Sequence, residues 1–413
     1  MLNIITNIPK VLKKFLNRFK EHFSKIQFKA FCHYIAGLFL AHKRVSIESV
    51  AGVCKDINYE NLQYFISESP LDIDNVNNCR LAFLNHLRPT KTTREGLLII
   101  DDTSCKKYGK HTEGAKMQYS STDKKVTNCN TVVLSAYCDS VKRYPLGMKA
   151  YKPLDEFTSE DAGNFKSKLE LAAQLIDEAY ANAGLNFSHI VFDSWYFAND
   201  FVNELSSKNR FWITECQMDR RLTYQGQSLR ADELVKVLYP LKFKKSVSFT
   251  NTKGKKRIFY LAECIVKIKG IQNQLKAIVA KGSWDEEDSK NVHIFVTDRL
   301  SLNSQEIFSQ YSMRWGIECM FRDLKDNLGF DQYQTRSLKA ICRHWHFTFV
   351  AYSFLMYAKL NSVFFKMVSI PLNTIGDLIS AFRRINTQNS QTWINKHKKE
   401  FYAFLRIKEP KMA

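Results

Sequence analysis

The sequence predicts a mixed α/β fold in which helices flank a mixed sheet, with a helical region before the sheet and a β-rich segment inserted into it. Apolar residues recur at helical spacing through residues 1–92. From about Arg94, short apolar runs bounded by turn-forming or acidic residues indicate strands. Helices then alternate with strands, which is typical of a sheet covered by helices.

The first helical segment is basic. From Ile4 to Phe28, apolar residues recur at helical spacing and leave a lysine and arginine face. Two interpretations remain open, a solvated basic helix and an arm that contacts a nucleic-acid backbone.

A pair of short helices follows. Ser46 is placed to cap a helix that extends through Cys54, and a second helix is expected from Asn58 to Ser67. The pair is compatible with a helix-turn-helix, although short helix pairs are common in any helical domain. We interpret residues 1–92 as a helical, DNA-binding N-terminal region.

The core begins with three strands and continues with alternating elements. Its first part, residues 93–216, contains these predicted strands and one long amphipathic helix: Gly96–Thr103, Asn130–Asp139, Tyr144–Tyr151, helix Asn164–Ala183, His189–Asp193 and Phe211–Glu215.

Two of these strands deliver acidic residues at their ends. The apolar run Leu97–Ile100 stops at Asp101-Asp102-Thr103, and Ile190–Phe192 stops at Asp193. Taken singly, such an aspartate is more often a turn or helix N-cap residue.

A third acidic residue lies in the segment YSMRWGIECMFRDLK. Tyr311, Arg314, Glu318 and Lys325 fall at i, i+3, i+7 and i+14. On one continuous helix, at about 100° per residue, all four project within roughly 60° of one another. A carboxylate beside phosphate-binding cations, together with the two strand-end acids, indicates a metal-dependent phosphodiester site, because Mg²⁺ and Mn²⁺ prefer hard oxygen ligands.

With these residues the chain resembles bacterial insertion-sequence transposases of the DDE class, in the IS-four-type branch. The Tyr-x2-Arg-x3-Glu-x6-Lys signature of that branch is matched without a gap. The resemblance extends from about Asn61 to Phe354 and includes the stretches QYSSTDKKVTNCNTVV and PLGMKAYKP. Asp101 is an alternative first acid, but we favour Asp102 because the family places a threonine directly after that residue.

The resemblance implies an RNase H-like catalytic core. Asp102, Asp193 and Glu318 would be the catalytic residues and would bind two Mg²⁺ (or Mn²⁺) ions, while Tyr311, Arg314 and Lys325 would contact DNA phosphates. The implied reaction cuts double-stranded DNA at the terminal inverted repeats of the element and joins the 3′-OH ends to target DNA. It also implies a homodimer in the synaptic complex. Trp284 is a candidate for the tryptophan that receives a flipped base in hairpin-forming relatives.

The distance between the second and third acids predicts further domains. Residues 217–290 are expected to form a β-rich insertion domain, 291–365 the second part of the core with the glutamate helix, and 366–413 a basic helical C-terminal region. Lysines and one arginine cluster within the insertion, where we favour DNA contact over edge-strand protection: Lys244, Lys245, Lys253, Lys255, Lys256 and Arg257.

Composition favours a polyanionic partner, with 61 Lys+Arg against 41 Asp+Glu, a net charge of +20. No apolar run is long enough to cross a bilayer, and the N-terminus lacks the pattern of a secretory signal. The ten cysteines include no C-x-x-C pair. These observations predict an intracellular protein without membrane contact, and the resemblance to bacterial transposases implies a cytoplasmic, nucleoid-associated location.

One alternative site is a zinc site formed by Cys342, His344 and His346. These residues spread around one predicted helix, so we interpret them as packing residues.

There are two alternative functions. One is a stand-alone RNase H-like endonuclease, and the other is a non-catalytic DNA-binding repressor or domesticated derivative. Three intact acids disfavour the non-catalytic alternative.

Overall fold

A computed structural model describes residues 4–41, 44–109, 111–120, 124–238, 245–250, 256–282, 292–362, 368 and 370–404. Trp284, Lys244, Lys253 and Lys255 lie outside these residues, as do the side chains of Lys245, Lys256 and Arg257. Within the described part, no helix is both long enough and apolar enough to cross a membrane.

Helices form the N-terminal part of the chain. Their bounds are α1 Lys10–Leu16, α2 Lys25–Leu40, α3 Ile47–Gly52, α4 Tyr59–Ser67 and α5 Ile73–His86. The predicted helix pair is confirmed, with Ser46 capping α3 and Asn58 capping α4 through side-chain bonds to backbone N–H groups. These side-chain bonds satisfy amide groups that the first helical turn leaves without a partner.

The central part of the chain contains most of the strands. Their bounds, with the intervening helices, are β1 Leu97–Lys106, β2 Lys116–Ser120, β3 Lys125–Cys138, β4 Arg143–Tyr151, α6 Lys168–Ala181, β5 Ile190–Phe192, α7 Asn199–Ser207, β6 Trp212–Glu215, β7 Arg221–Tyr224, β8 Gln227–Arg230, α8 Ala231–Leu238, β9 Lys245–Thr250, β10 Lys256–Val266, β11 Leu275–Lys281 and β12 Val292–Thr297.

Helices return at the C-terminal side. They are α9 Ser304–Ser312, α10 Trp315–Arg322, a π-helical segment Asp323–Asn327, α11 Leu338–Leu360, α12 Ile375–Lys396 and α13 Lys398–Phe404.

The described strands include a ten-stranded mixed sheet in the order β2-β3-β1-β5-β6-β12-β11-β10-β9, with β4 also paired to β3. Strands β4, β3 and β1 are antiparallel, and β5 and β6 then run parallel to β1. This order and these directions are those of an RNase H-like core, so the predicted fold class is confirmed. Strand β12 pairs antiparallel with β6, so β9–β12 extend the same sheet.

The N-terminal helices pack around α11. Phe65 of α4 stacks on Phe347 of α11 with ring centroids 5.4 Å apart, and Phe15 of α1 lies 5.4 Å from Phe354. The buried guanidinium of Arg80 on α5 donates to the Pro145 and Leu146 carbonyls of β4. Burial of this large apolar surface holds the helices against the sheet. The domain boundaries proposed above remain a prediction.

Candidate active site

An open pocket beside the middle of β1 and the C-terminal end of β5 gathers the predicted acids. It is lined by Asp101, Asp102, Thr103, Asp193, Arg314, Glu318, Phe321, Arg322, Lys325 and Asp326. Strand β1 continues past its aspartates to Lys106, which corrects the prediction that it ends at them. Because β1 and β5 are parallel and Ile100 pairs with Phe192, the aspartates that follow these two residues lie close together. Five of the six predicted site residues are therefore brought together, and Tyr311 is not among the lining residues.

The neighbouring aspartates of β1 point to opposite faces of the sheet, since successive side chains of a strand alternate. Leu97 pairs with Cys138, so Asp101 shares the face of Cys138. Gly316 of α10 packs on Cys138 so closely that a Cβ at this position would collide with Sγ. Asp101 therefore lies on the face that α10 covers.

Asp102 lies on the other face. Ile100 pairs with Ser135, and Ser135 pairs with Gly147, against which Leu175 of α6 packs. Asp102 Oδ2 accepts from Lys168 Nζ of α6 at 3.2 Å, and its Oδ1 accepts from the Tyr196 hydroxyl at 3.0 Å.

Arg314 connects Asp101 to Glu318. Its Nη1 lies 3.1 Å from Asp101 Oδ2, and its Nη2 lies 2.7 Å from Glu318 Oε1. Burial raises the pKa of Asp101 to about 8, with Arg314 opposing this and Asp193 and Asp102 adding to it. The planar guanidinium thus holds together two carboxylates from distant parts of the sequence.

Asp193 is fixed by the turn that follows β5. Its Oδ1 accepts from the Trp195 N–H at 3.0 Å, so it caps the short 3₁₀ helix Ser194–Tyr196. Burial also raises the pKa of Asp193, opposed by Arg314. Asp193 therefore both caps this helix and lines the pocket.

The helix that carries the signature is not continuous, which corrects the prediction of a single helix. It ends at Ser312 and restarts at Trp315, and the bonds Arg314 N–H to Tyr311 O and Ile317 N–H to Arg314 O are tighter i to i+3 contacts. Lys325 then lies in the wider π-helical segment. A fixed 100° step consequently fails across this region.

Two predicted phosphate-contacting residues are engaged with protein. Tyr311 is 8% exposed, its ring lies 4.5 Å from that of Phe295, and its hydroxyl donates to Glu215 at 3.4 Å. Lys325 Nζ donates to the Ser104 carbonyl of β1 at 2.9 Å. Their DNA contacts remain predictions.

Sequence reasoning missed four neighbours of the acids: Lys168, Trp195, Tyr196 and Arg322. Trp195 is 50% exposed, and the Lys168 ammonium lies 4.3 Å from the centre of its ring. The position of Trp195 and Tyr196 two and three residues after Asp193 was a usable signal. Nothing in the sequence marks Lys168, because its contact with Asp102 depends on how α6 packs.

The residues fit a hard divalent cation by their chemistry, since every candidate ligand is a carboxylate. Burial is the main cause of the raised pKa of Asp101 and of Asp193, and the neighbouring acids add to it. A cation beside these carboxylates would stabilise their ionised form. Within the described ranges, no three His, Cys, Asp or Glu side chains are already grouped as a metal site. The acids instead pair with Arg314 and Lys168.

The other sequence-derived candidates also have definite surroundings. His344 bonds to the Tyr34 hydroxyl and the Gly329 carbonyl, and His346 is buried, which agrees with packing roles. Helix α4 contains Glu60 and no lysine or arginine. An acidic helix is poorly suited to lie against phosphates, and a DNA-reading role of the α3–α4 pair stays a prediction.

Comparison with known proteins identifies the family. The family described as DDE superfamily endonuclease matches residues 18–234, just over half of the chain. A probable transposase for insertion sequence element IS701 from Microchaete diplosiphon is 28% identical over 209 residues, covering 49% of this chain and 53% of the relative. The chain thus spans about half the length of this curated relative.

A structural match is weaker. A cryo-EM structure of the piggyBac transposase synaptic complex with hairpin DNA aligns over 100% of this chain and 84% of that one, with 9% identity and a TM-score of 0.48. The family match extends over β1, which contains Asp101 and Asp102, and over β5, which Asp193 follows. On the strength of that match, the chain belongs to the DDE superfamily endonuclease family.

Proposed function

We propose that this protein is an insertion-sequence DNA transposase that cuts at the ends of its element and joins the freed 3′-OH ends to target DNA. The observation that carries the proposal is one pocket in which acids from β1, the end of β5 and α10 meet Arg314, Arg322 and Lys325. Similarity to a probable insertion-sequence transposase supports the same function.

We propose Asp193, Glu318 and one aspartate of β1 as the metal-binding acids, with two Mg²⁺ or Mn²⁺ ions. The geometry supports Asp101 over Asp102 as the strand acid, because Asp101 lies on the α10 face and shares Arg314 with Glu318. Divalent cations at such a site activate water and polarise the phosphoryl oxygens.

The chain's own residues orient the reaction and balance its charge. The Trp195 N–H fixes Asp193, and Arg314 positions Glu318 beside Asp101. Exposed Arg322 is placed to neutralise negative charge on the phosphoryl oxygens as it develops.

The reaction consists of two displacements in the same pocket. In the first, a water oxygen loses a proton and bonds to phosphorus, the bond to the 3′ oxygen breaks, and that oxygen takes a proton. In the second, the freed 3′-OH loses its proton, its oxygen bonds to the phosphorus of a target phosphodiester, and the target's 3′ oxygen leaves and takes a proton. Two ends must be processed together, so we propose a homodimer in the synaptic complex.

The test uses the purified full-length chain and linear DNA that carries the ends of its own element. Incubation with Mg²⁺ should yield cut ends and joined products, whereas excess chelator should yield neither, and Ca²⁺ should support little cleavage. Cutting without joining would favour a stand-alone endonuclease. Tight binding without any cutting would favour a repressor.

Asp193→Asn and Glu318→Gln should each lower the cleavage rate by more than about 100-fold while leaving end binding intact. Changes in the residues that merely support metal ligands typically cost 10–100-fold, so loss of a ligand should cost more. Asp200→Asn is the matched control, since Asp200 is an exposed carboxylate of α7 outside the pocket. Wild-type cleavage in either pocket variant would remove that residue from the site.

A further inference from the structure

An exposed apolar and basic surface lies on the β2–β3 hairpin, away from the pocket. Met117, Tyr119 and Val126 are 67%, 66% and 58% exposed. Tyr119 pairs with Val126, and Met117 pairs with Asn128, so the three side chains share one face. Lys124 and Lys125 adjoin them and are also exposed. Lys125 is adjacent to Val126 in β3 and projects from the opposite face, and Lys124 lies in the turn before it. We call these five residues, which surround the end of the hairpin, the hairpin surface.

The apolar part of the hairpin surface lies on the same face of the sheet as Asp101. Asp101 pairs with Leu134 on β3, and Val126 is an even number of residues from Leu134 along the same strand. Near the pocket this face is covered, as where Tyr333 donates to buried Asn130. Beyond Asn128 the side chains become exposed. At ~3.3 Å per residue, the uncovered part begins roughly 26 Å from Asp101.

The charge of the described residues near the hairpin surface is positive. Asp123, which precedes Lys124 in the sequence, lies outside the described residues. In the part of the chain that the structure describes, Lys106, Lys124 and Lys125 have no carboxylate within ion-pair distance. The acids at the base of the hairpin are already paired, since Asp155 lies 3.2 Å from Lys116 and Glu113 lies 3.7 Å from Lys152.

A second aromatic and lysine pair lies on the segment that leaves β1. Tyr108 is 83% exposed, and the Lys106 ammonium lies 5.0 Å from the centre of its ring. Aromatic rings interleaved with lysines are the combination with which proteins contact both the phosphates and the apolar surface of nucleic acids.

Two occupants would fit an exposed surface of this kind, a second copy of the chain and DNA. In a symmetric dimer the same patch would meet itself, and each copy would bring Lys124 and Lys125 with a single neighbouring acid in the sequence, Asp123. Phosphates suit this excess of lysine instead. Since duplex DNA rises ~3.4 Å per base pair, the distance of roughly 26 Å corresponds to about seven or eight base pairs.

We propose that the hairpin surface binds the backbone of duplex DNA about seven or eight base pairs from the phosphodiester held in the pocket. This inference rests on the proposed function, because it takes the pocket as the cutting site. It assigns the hairpin the role of setting the register of the DNA and gives it no part in the chemistry.

The test compares Lys124→Ala/Lys125→Ala with the wild-type chain on duplex DNA carrying the element's own end. Affinity is measured across a salt series. Loss of two phosphate contacts should reduce the salt slope by about two. The matched control is Lys91→Ala/Arg94→Ala, which removes the same charge from exposed residues before the opposite end of β1 and should leave the slope nearly unchanged.

Phosphate ethylation interference on the same DNA is a second measurement, which maps the phosphates that the protein contacts. In wild type it should reveal a sensitive cluster about seven or eight base pairs from the cut, and the hairpin variant should lose that cluster. At saturating DNA the hairpin variant should still cut. An unchanged slope, or an altered self-association in place of altered DNA binding, would overturn the hairpin proposal while leaving the proposed function intact. If the wild-type chain never cuts but the hairpin variant has a reduced salt slope, the proposed function is wrong and the hairpin still binds DNA.

Discussion

The two faces of β1 carry adjacent aspartates in different settings. On the α10 face, Asp101 is linked through Arg314 to Glu318, a residue more than two hundred positions away in the chain. On the α6 face, both oxygens of Asp102 are held by Lys168 and Tyr196. Strand alternation separates two chemically identical side chains into one that joins the acids of α10 and one that anchors α6 and the turn after β5. Two residues that are adjacent within a strand therefore have different partners.

The largest expected difference lies between the two aspartates. Asp101→Asn should reduce cleavage to the level of the Asp193 and Glu318 variants. Asp102→Asn should reduce cleavage by about 10–100-fold at most, because it removes a supporting contact. The test measures the cleavage rate of both variants on end DNA with Mg²⁺, at equal concentrations of folded protein. A larger loss of cleavage in the Asp102 variant than in the Asp101 variant would favour Asp102 as the metal-binding acid, as the sequence predicted from the threonine that follows it.

Arg314→Lys should come next in size. A lysine ammonium cannot reproduce the planar fork that contacts Asp101 and Glu318 together. We expect a loss of about 10–100-fold in cleavage, as for other residues that orient metal ligands. The corresponding change on the other face, Lys168→Arg, preserves a charge near Asp102 and should have a smaller effect. Equal losses in the two variants would mean that the faces do not differ as described.

The pH dependence of stability should also separate the two faces. Asp101 has a pKa near 3.8 when unfolded and about 8 when folded. Between these values the folded state holds more protons, so metal-free stability should fall as pH rises from about 4 to about 8. Asp101→Asn should flatten this dependence. Melting temperatures in chelator across that range test it, and an unchanged slope would contradict the burial of Asp101.

Lys325 should show the smallest effect. Its ammonium donates to the Ser104 carbonyl at the end of β1, and Lys325→Ala should lower the free energy of unfolding by about 1 kcal/mol through loss of this bond. A phosphate contact would in addition reduce the salt slope of DNA binding by about one. Measuring both quantities in this variant separates the two roles. If Lys325→Ala changes neither quantity, the side chain is not held as the structure shows.

The sequence predicted much of this arrangement from local patterns. Strands β1 and β5 follow from apolar runs, and the caps Ser46 and Asn58 follow from residue types that begin helices. The end of β1 does not follow from its apolar run, because the strand extends past the aspartates to Lys106 by pairing with β3. Three features depended on tertiary packing. Gly316 fits against Cys138 where the signature helix is interrupted, α6 brings Lys168 to Asp102, and Phe295 encloses Tyr311. Extension of the core sheet by β12 was also not visible in the sequence, because it depends on pairing with β6.

The most direct test of the central claim is Mn²⁺ binding by the full-length chain in complex with its end DNA, followed by electron paramagnetic resonance. Wild type and Asp102→Asn should bind the ion, whereas Asp101→Asn and Glu318→Gln should bind it far more weakly. That result would place the metal site on the α10 face. Retained binding in Asp101→Asn together with loss in Asp102→Asn would contradict the account.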